Sequence, residues 1–178
     1  MALIGVDAGT SVVKAVAFGD DGGVVRGAAR PTRTITPAPG RAEQDLEEVI
    51  AAVGAVVREV AAAEPAALLG ITAQGDGLWL LDGEGRQVRP SILWSDARAA
   101  GIVREWMGSG VAERAFRRSG NMLFPGAAAP LLAFLQEEEP ESLRAAVTAG
   151  YCKDAIVQRL TGARATDVSD ASLPFFNP

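Results

Sequence analysis

The sequence contains no histidine and only one cysteine, Cys152, among its 178 residues. Without histidine, these residues cannot form a Ser-His-Asp triad, and a lone cysteine can form neither a disulfide scaffold nor a Cys/His zinc site. Any acid–base chemistry carried by this chain must therefore come from carboxylates.

Long apolar runs and blocks of basic residues are also missing. No 18 apolar residues run together, and Asp7 interrupts the apolar N-terminal stretch, so we expect neither a membrane span nor a signal peptide and predict a cytoplasmic protein. The 17 Lys and Arg are scattered among 22 Asp and Glu, giving a net charge of -5. We therefore expect no nucleic-acid partner and no membrane partner.

Apolar periodicity predicts an α/β chain whose second half is mainly helical. Strand patterns, several of them bounded by turn residues, occur at residues 3–6, 12–18, 24–29, 68–72, 78–81 and 87–93. The first three predict a meander, and the run at 68–72 predicts a buried strand. Helix patterns occur at residues 46–60, 97–106, 111–117 and 127–137 and in two pieces within 140–160. Asp45 precedes the first helix as a predicted N-cap, and Gly162 is a predicted C-terminal stop.

A carboxylate, a glycine, two hydroxyls and a lysine surround the first predicted turn: Asp7, Gly9, Thr10, Ser11 and Lys14. The glycine lets backbone N–H groups approach an oxyanion, and the hydroxyls can donate to phosphate oxygens. Asp7 can hold Mg²⁺ through water, because that ion prefers oxygen ligands and keeps part of its hydration shell. The segment predicts a phosphate site, with a plain hairpin turn as the alternative.

Two further polar clusters follow predicted strands. Gln74 and Asp76 stand among glycines, and Trp94, Asp96 and Arg98 combine an aromatic face, a carboxylate and a guanidinium. Strand ends are where α/β sheets bind ligands, so both clusters predict a site for a hydroxyl-rich molecule. Each also has a simpler interpretation: Asp96 as a helix cap, Trp94 as a core aromatic and Arg98 as a surface ion-pair partner.

Taken in order, these motifs resemble the FGGY carbohydrate kinases over almost the whole chain. The resemblance runs through the following segments: Gly5-Val6-Asp7-Ala8-Gly9-Thr10-Ser11, Lys14, Glu43-Gln44-Asp45, Gln74, Asp76, Trp94, Asp96, Arg98, Lys153-Asp154, Leu160-Thr161-Gly162, Thr166-Asp167 and Asp170-Ala171-Ser172. No single motif is decisive, but the ordered set is specific.

The resemblance implies an actin-like (ribonuclease H-like) ATPase fold, with a mixed sheet and flanking helices. Residues 1–178 would be a truncated N-terminal, sugar-binding-side domain, without the C-terminal nucleotide-binding domain. The reaction would be transfer of the ATP γ-phosphate to a sugar or polyol hydroxyl, with ATP and Mg²⁺ as cofactors. The family's catalytic base would lie beyond Pro178, so this chain would hold no catalytic residue and would be inactive alone.

By position, the resemblance makes Asp7 the acid at the magnesium-nucleotide end. Gly9, Thr10, Ser11 and Lys14 would belong to the loop that approaches the γ-phosphate. Gln74, Asp76, Trp94, Asp96 and Arg98 would lie in or beside the sugar pocket, the last two as substrate ligands or as its structural supports.

The neighbourhood of Asp76 separates this chain from two branches of the family. Glycerol kinases resemble this segment but carry Arg-Glu where this chain has Gly75-Asp76, and xylulose kinases carry Met-His. The string Gln74-Gly75-Asp76-Gly77 is more similar to kinases of small polyols such as erythritol. We therefore expect a sugar or small polyol as substrate.

Three other hypotheses remain open at this level: a non-catalytic sugar-binding module, another actin-like ATPase of the hexokinase or acetate-kinase type, and a purely structural domain. A truncated domain would also leave apolar residues uncovered, which favours a homodimer. The residues expected to be uncovered are Leu131, Leu132, Phe134, Leu173, Phe175 and Phe176.

Overall fold

The computed structural model describes residues 2–63 and 66–171. The strands are β1 (Ala2–Ala8), β2 (Val12–Phe18), β3 (Val24–Pro31), β4 (Glu43–Gln44), β5 (Ala66–Ala73), β6 (Trp79–Leu81), β7 (Ser91–Ile92) and β8 (Thr148–Gly150). The helices are α1 (Leu46–Ala61), α2 (Ala100–Gly108), α3 (Val111–Ser119), α4 (Ala128–Glu138), α5 (Pro140–Ala145), α6 (Cys152–Thr161) and α7 (Val168–Ala171). The chain divides into two compact units, Met1–Thr34 with Asp45–Gln74 and Ile35–Gln44 with Gly75–Pro178.

The first unit is a mixed four-stranded sheet with one helix against it. Its strand order is β3-β2-β1-β5, with β1, β2 and β3 antiparallel and β5 parallel to β1. The predicted meander is confirmed. Gly19 N donates to Gly23 O at 2.9 Å to close the turn between β2 and β3, where Gly22 has a φ of 77°.

Helix α1 covers one face of this sheet. Asp45 caps it, since its side chain accepts from Glu47 N, and most of the predicted apolar stripe is buried, including Val49, Val53 and Val56. Those valines pack toward alternate residues of β1 such as Ile4 and of its neighbours, because side chains in a strand alternate between faces. The periodicity of α1 therefore sets which face of the sheet is buried.

The opposite face of the sheet and its β5 edge are exposed. Leu3 is 51% exposed, and β5, predicted as a buried strand, has Leu68 60% exposed. The prediction of a strand is confirmed, but that of burial is wrong, because β5 is an edge strand and α1 packs on β1, β2 and β3 instead. A shallow concavity of about 540 Å³ lies on this face, lined by residues that include Asp7, Lys14, Phe18 and Ile71.

The second unit surrounds a separate apolar core. Its buried members are Leu78, Leu80, Ile92, Ala99, Ala128, Leu131, Leu135 and Tyr151. The predicted hairpin at 78–93 is present: Leu78 and Ile92 exchange backbone hydrogen bonds, and Val88 N donates to Leu80 O. Strand β8, which pairs with β6, and the short helix α7 were not predicted from the sequence. Gly162 ends α6 in the left-handed conformation, as predicted.

The predicted exposed apolar patch is wrong for Leu131, which is fully buried, and Leu132 and Phe134 pack partly buried against the same core. The reason is local: α4 turns these side chains onto the hairpin and Tyr151 instead of outward. Leu173, Phe175 and Phe176 lie outside the described residues. None of the described helices is both long and apolar enough to cross a membrane.

Candidate functional site

The candidate phosphate loop is the hairpin between β1 and β2 in the first unit. Asp7 and Lys14 are directly opposite each other in the antiparallel register, and both side chains are exposed. Between them Gly9 N donates to Val12 O at 3.1 Å, and a Cβ atom on residue 9 would lie 3.0 Å from that oxygen. The turn therefore favours glycine and carries one charge of each sign at its base.

Contacts from β5 and from the end of β3 hold this loop. Thr10 Oγ1 donates to Gln74 Oε1 at 2.8 Å, and Gln74 N donates to Ala8 O at 3.0 Å. Thr32 Oγ1 donates to Thr10 O at 3.0 Å, while the Ser11 side chain is exposed. Gln74, predicted near the sugar, thus contacts the phosphate loop within this unit.

The donor set of this loop fits a hydrated magnesium ion carried by a nucleotide. Among the described residues no group of three Asp, Glu, Cys or His could hold a metal ion by itself. A single carboxylate such as Asp7 suits Mg²⁺ that keeps several waters and shares substrate phosphates as ligands. The exposed Lys14 opposite it carries a positive charge, which is suited to phosphate oxygens.

Asp76 in the second unit has an unusual backbone and an unsatisfied side chain. Its φ is 54°, in the left-handed region that side chains other than Asn, Asp and Gly rarely adopt. Its Oδ1 atom is buried and has no hydrogen-bond partner among the described residues. Desolvation raises the pKa of Asp76 to about 6, and the nearby charge of Asp170 adds to the shift. A buried acceptor without a donor is suited to a ligand hydroxyl.

Two ionisable groups, Tyr151 at the start of α6 and Asp170 of α7, interact electrostatically with this carboxyl, and Asp170 also bonds Lys153. Lys153 Nζ contacts Asp167 Oδ2 at 2.9 Å and also bonds Asp170, and these bonds raise the pKa of Lys153 although its burial opposes the shift. Burial, followed by the charges of Asp76 and Asp170, raises the pKa of the Tyr151 hydroxyl. The region is thus acidic, and its lysine is already paired.

Trp94, Asp96 and Arg98 separate into one exposed and two buried residues. The Trp94 side chain is 48% exposed, so it is not a core aromatic. Arg98, whose side chain is 1% exposed, donates through Nε to Asp96 Oδ1 at 2.9 Å and through Nη2 to Glu43 Oε1 at 2.7 Å. These carboxylates raise the pKa of Arg98 although burial opposes the shift.

Asp96 also holds the neighbouring chain segment. Its Oδ2 accepts from Ala42 N at 2.7 Å, and α2 begins after Ala99 with no side-chain cap, so Asp96 is not a helix cap. Glu43 bonds Arg89 as well, and Arg89 Nη1 bonds Glu139. The network joins Glu43 of β4, the chain segments before and after β7, and Glu139 at the C-terminal end of α4, and it leaves Asp96 and Arg98 little surface for a ligand.

Sequence reasoning missed two contributors to this region. Glu43 forms ion pairs with both Arg89 and Arg98. Tyr151, at the start of α6, interacts with the charges of Asp76 and Asp170. Glu43 stood in a quoted motif, yet nothing in that motif indicated a partner 55 residues away. For Tyr151, the only indication in the sequence was that it is the single tyrosine of the chain.

Comparisons with known proteins agree with one another. A family model described as the FGGY family of carbohydrate kinases, N-terminal domain, matches residues 2–176. Erythritol kinase of Brucella abortus (strain 2308) is 36% identical over 98% of this chain and 35% of its own length. Xylulose kinase of Escherichia coli (strain K12) is 34% identical over 95% of this chain and 35% of its own length.

A solved structure shows the same architecture. The ligand-bound xylulose kinase from Lactobacillus acidophilus superposes with a TM-score of 0.94 at 26% identity, over 99% of this chain and 36% of that protein. The chain therefore spans about a third of the length of the curated relatives it matches, 35% in the two cases above.

Proposed function

The chain belongs to the FGGY family of carbohydrate kinases and has the actin-like ATPase fold, and on that premise we propose that it forms part of an ATP-dependent polyol kinase. The enzyme transfers the γ-phosphoryl group of ATP to a hydroxyl of a small polyol or sugar in the cytoplasm. The proposal rests on one observation. The Oδ1 atom of Asp76 is buried and has no hydrogen-bond partner among the described residues, so it is available to accept a hydrogen bond from a substrate hydroxyl.

The nucleotide end of the reaction is assigned to the β1–β2 hairpin. Asp7 would hold Mg²⁺ through water, and Gly9, Thr10, Ser11 and Lys14 would approach the γ-phosphate. The bond from Thr10 to Gln74 fixes the loop before ATP arrives, so less reorganisation is needed at the moment of reaction. Bound Mg²⁺ would neutralise the charge that develops on the phosphoryl oxygens.

The acceptor end is assigned to Asp76 and Trp94. Asp76 would accept from a hydroxyl, Trp94 would give the carbon chain an apolar wall, and Asp96 with Arg98 would support that wall from beneath. The proton of the reacting hydroxyl passes to an aspartate that we place in the rest of the enzyme, beyond residue 178. Residues 1–178 alone are therefore proposed to be inactive.

A neutral polyol suits this site better than a sugar acid. Asp76 interacts with the charge of Asp170, and Lys153 is already engaged by Asp167 and Asp170, so these described residues favour an uncharged substrate over an anionic one. The 36% identity to an erythritol kinase supports the same substrate class.

An acceptor screen on the full-length enzyme tests the proposal. ADP release is followed with ATP and Mg²⁺ in the presence of erythritol, xylitol, D-xylulose, glycerol or gluconate. The proposal predicts ADP release that depends on a neutral polyol or ketose and is weakest with gluconate. It fails if no neutral acceptor raises ADP release above the rate without acceptor.

A further inference from the structure

Three chain segments of the second unit meet backbone to backbone beside Asp76 and Trp94. Gly77 N donates to Gly126 O at 3.0 Å, which joins the loop after Asp76 to the loop before α4. Gly77 also lies against β7, and Gly126 lies on the main chain of Trp94. We call this contact of Gly77, Gly126 and Trp94 the glycine clamp.

Only residues without a side chain allow this approach. A Cβ atom on residue 126 would lie 1.8 Å from Trp94 O and 2.4 Å from its carbonyl carbon, although real Cβ contacts essentially never fall below 3.0 Å. A Cβ atom on Gly77, whose φ is 78°, would lie 2.5 Å from Ile92 O. Because the opposing atoms are backbone, they cannot turn away as a flexible side chain could.

The clamp joins the two residues to which the acceptor site is assigned. Asp76 directly precedes Gly77, and its strained φ of 54° persists only if the surrounding chain fixes it. Trp94 O is the atom against which Gly126 lies. One buried residue, Gly126, therefore sets the position of both the Asp76 carboxyl and the Trp94 backbone.

We propose that Gly126 is a positioning residue of the acceptor pocket. It fixes the positions of Asp76 and Trp94 through its contact with the Trp94 main chain and through the hydrogen bond that it accepts from Gly77 N. This inference rests on the proposed polyol kinase function. A methyl group at position 126 must displace the Trp94 carbonyl by about 1 Å, and misplacements of that size cost on the order of 100-fold in well-positioned sites. The candidate nucleotide loop belongs to the other unit, so we expect its affinity for ATP to be unaffected by this change.

The test is steady-state kinetics of the full-length enzyme carrying Gly126→Ala, with Gly101→Ala as the matched control. Gly101 is an exposed residue of α2 whose added Cβ would meet nothing within 4 Å. For Gly126→Ala we expect the KM for erythritol to rise by roughly 10-fold or more, while the KM for ATP changes by less than about 2-fold. Gly101→Ala leaves both constants unchanged.

A second variant covers the case in which Gly126→Ala does not fold. Gly77→Asn keeps a residue that tolerates positive φ, and its Cβ atom would lie 2.5 Å from Ile92 O, 3.2 Å from Trp94 N and 3.3 Å from the Leu93 carbonyl carbon, so a rise in the acceptor KM alone again supports the clamp. The proposal is overturned if Gly126→Ala and Gly101→Ala have the same KM for erythritol and the same KM for ATP. It is also overturned by a proportional rise of both KM values, or by loss of folded enzyme in both clamp variants. A wild-type enzyme that phosphorylates no polyol or sugar overturns the proposed function instead.

Discussion

Replacing Asp76 by Asn should stabilise the protein at neutral pH while it weakens acceptor binding. Asn has the same shape, tolerates positive φ and carries no charge, so it removes the cost of burying an ionised carboxyl and little else. Sites that hold an unpartnered buried charge for a ligand trade stability for function in this way.

The size of the gain follows from the pKa of Asp76, which desolvation and the charge of Asp170 raise from 3.8 to about 6. A shift of about 2 units corresponds to about 3 kcal/mol if the group is fully buried. Because Asp76 keeps partial exposure, solvent screening reduces this to about 1–2 kcal/mol.

The direction of the pH dependence is fixed by the sign of that shift. The folded state binds the Asp76 proton more tightly than the unfolded state, so the wild type loses stability as the pH rises from 3.8 through about 6. The Asp76→Asn variant has no titrating carboxyl at this position, so its stability does not fall for this reason over the same pH range. Asp170 and Tyr151, the titratable groups that interact with Asp76, are the same in both proteins.

The assay is urea unfolding of both proteins at about pH 4 and about pH 7.5. The variant should be the more stable protein at the higher pH, and the difference should nearly vanish at the lower. Asp82→Asn is a control of opposite sign, because backbone bonds from Arg86 and Glu84 lower the pKa of Asp82. A stability difference for Asp76→Asn that is independent of pH, or that favours the wild type at the higher pH, would refute the reasoning.

Three further substitutions test the other parts of the site. Arg98→Ala should destabilise the protein by about 3–5 kcal/mol in urea unfolding, because the buried Asp96 would lose its ion-pair partner and Glu43 would keep only Arg89; a loss below about 1 kcal/mol would contradict the network. Thr10→Val removes the 2.8 Å bond to Gln74 and should raise the KM for ATP but not for the polyol, by about 5-fold for a loss of about 1 kcal/mol; equal effects on both would count against a phosphate loop. Trp94→Leu should raise only the polyol KM, by about 5-fold for about 1 kcal/mol, and an unchanged value would remove Trp94 from the pocket.

Local patterns were enough to predict most of the elements that carry the site. The meander, α1 with its Asp45 cap, and the hairpin at 78–93 each depend on periodicity or turn residues that act within a few positions. The polar residues at strand ends were identified for the same reason. Strand β8 was missed because three residues, Thr148–Gly150, are too few to show alternation.

Contacts between distant segments could not be predicted in this way. The bond between Arg98 and Glu43 spans 55 positions, and the sequence offered several acidic residues as equally good partners. The approach of Gly126 to Trp94 O involves no side chain, so no residue pattern signals it. The exposure of β5 depends on its place at the sheet edge, which its apolar composition does not reveal.

The central claim is that this chain contributes to phosphoryl transfer from ATP to a neutral polyol. Phosphorus NMR of the full-length enzyme with ATP, Mg²⁺ and erythritol tests it most directly, because it resolves ADP, inorganic phosphate and a phosphomonoester. The account predicts ADP and a phosphomonoester in equal amounts, with the phosphomonoester much reduced for Asp76→Asn. Formation of inorganic phosphate alone with every acceptor tried, or a phosphomonoester yield indifferent to Asp76→Asn, would contradict it.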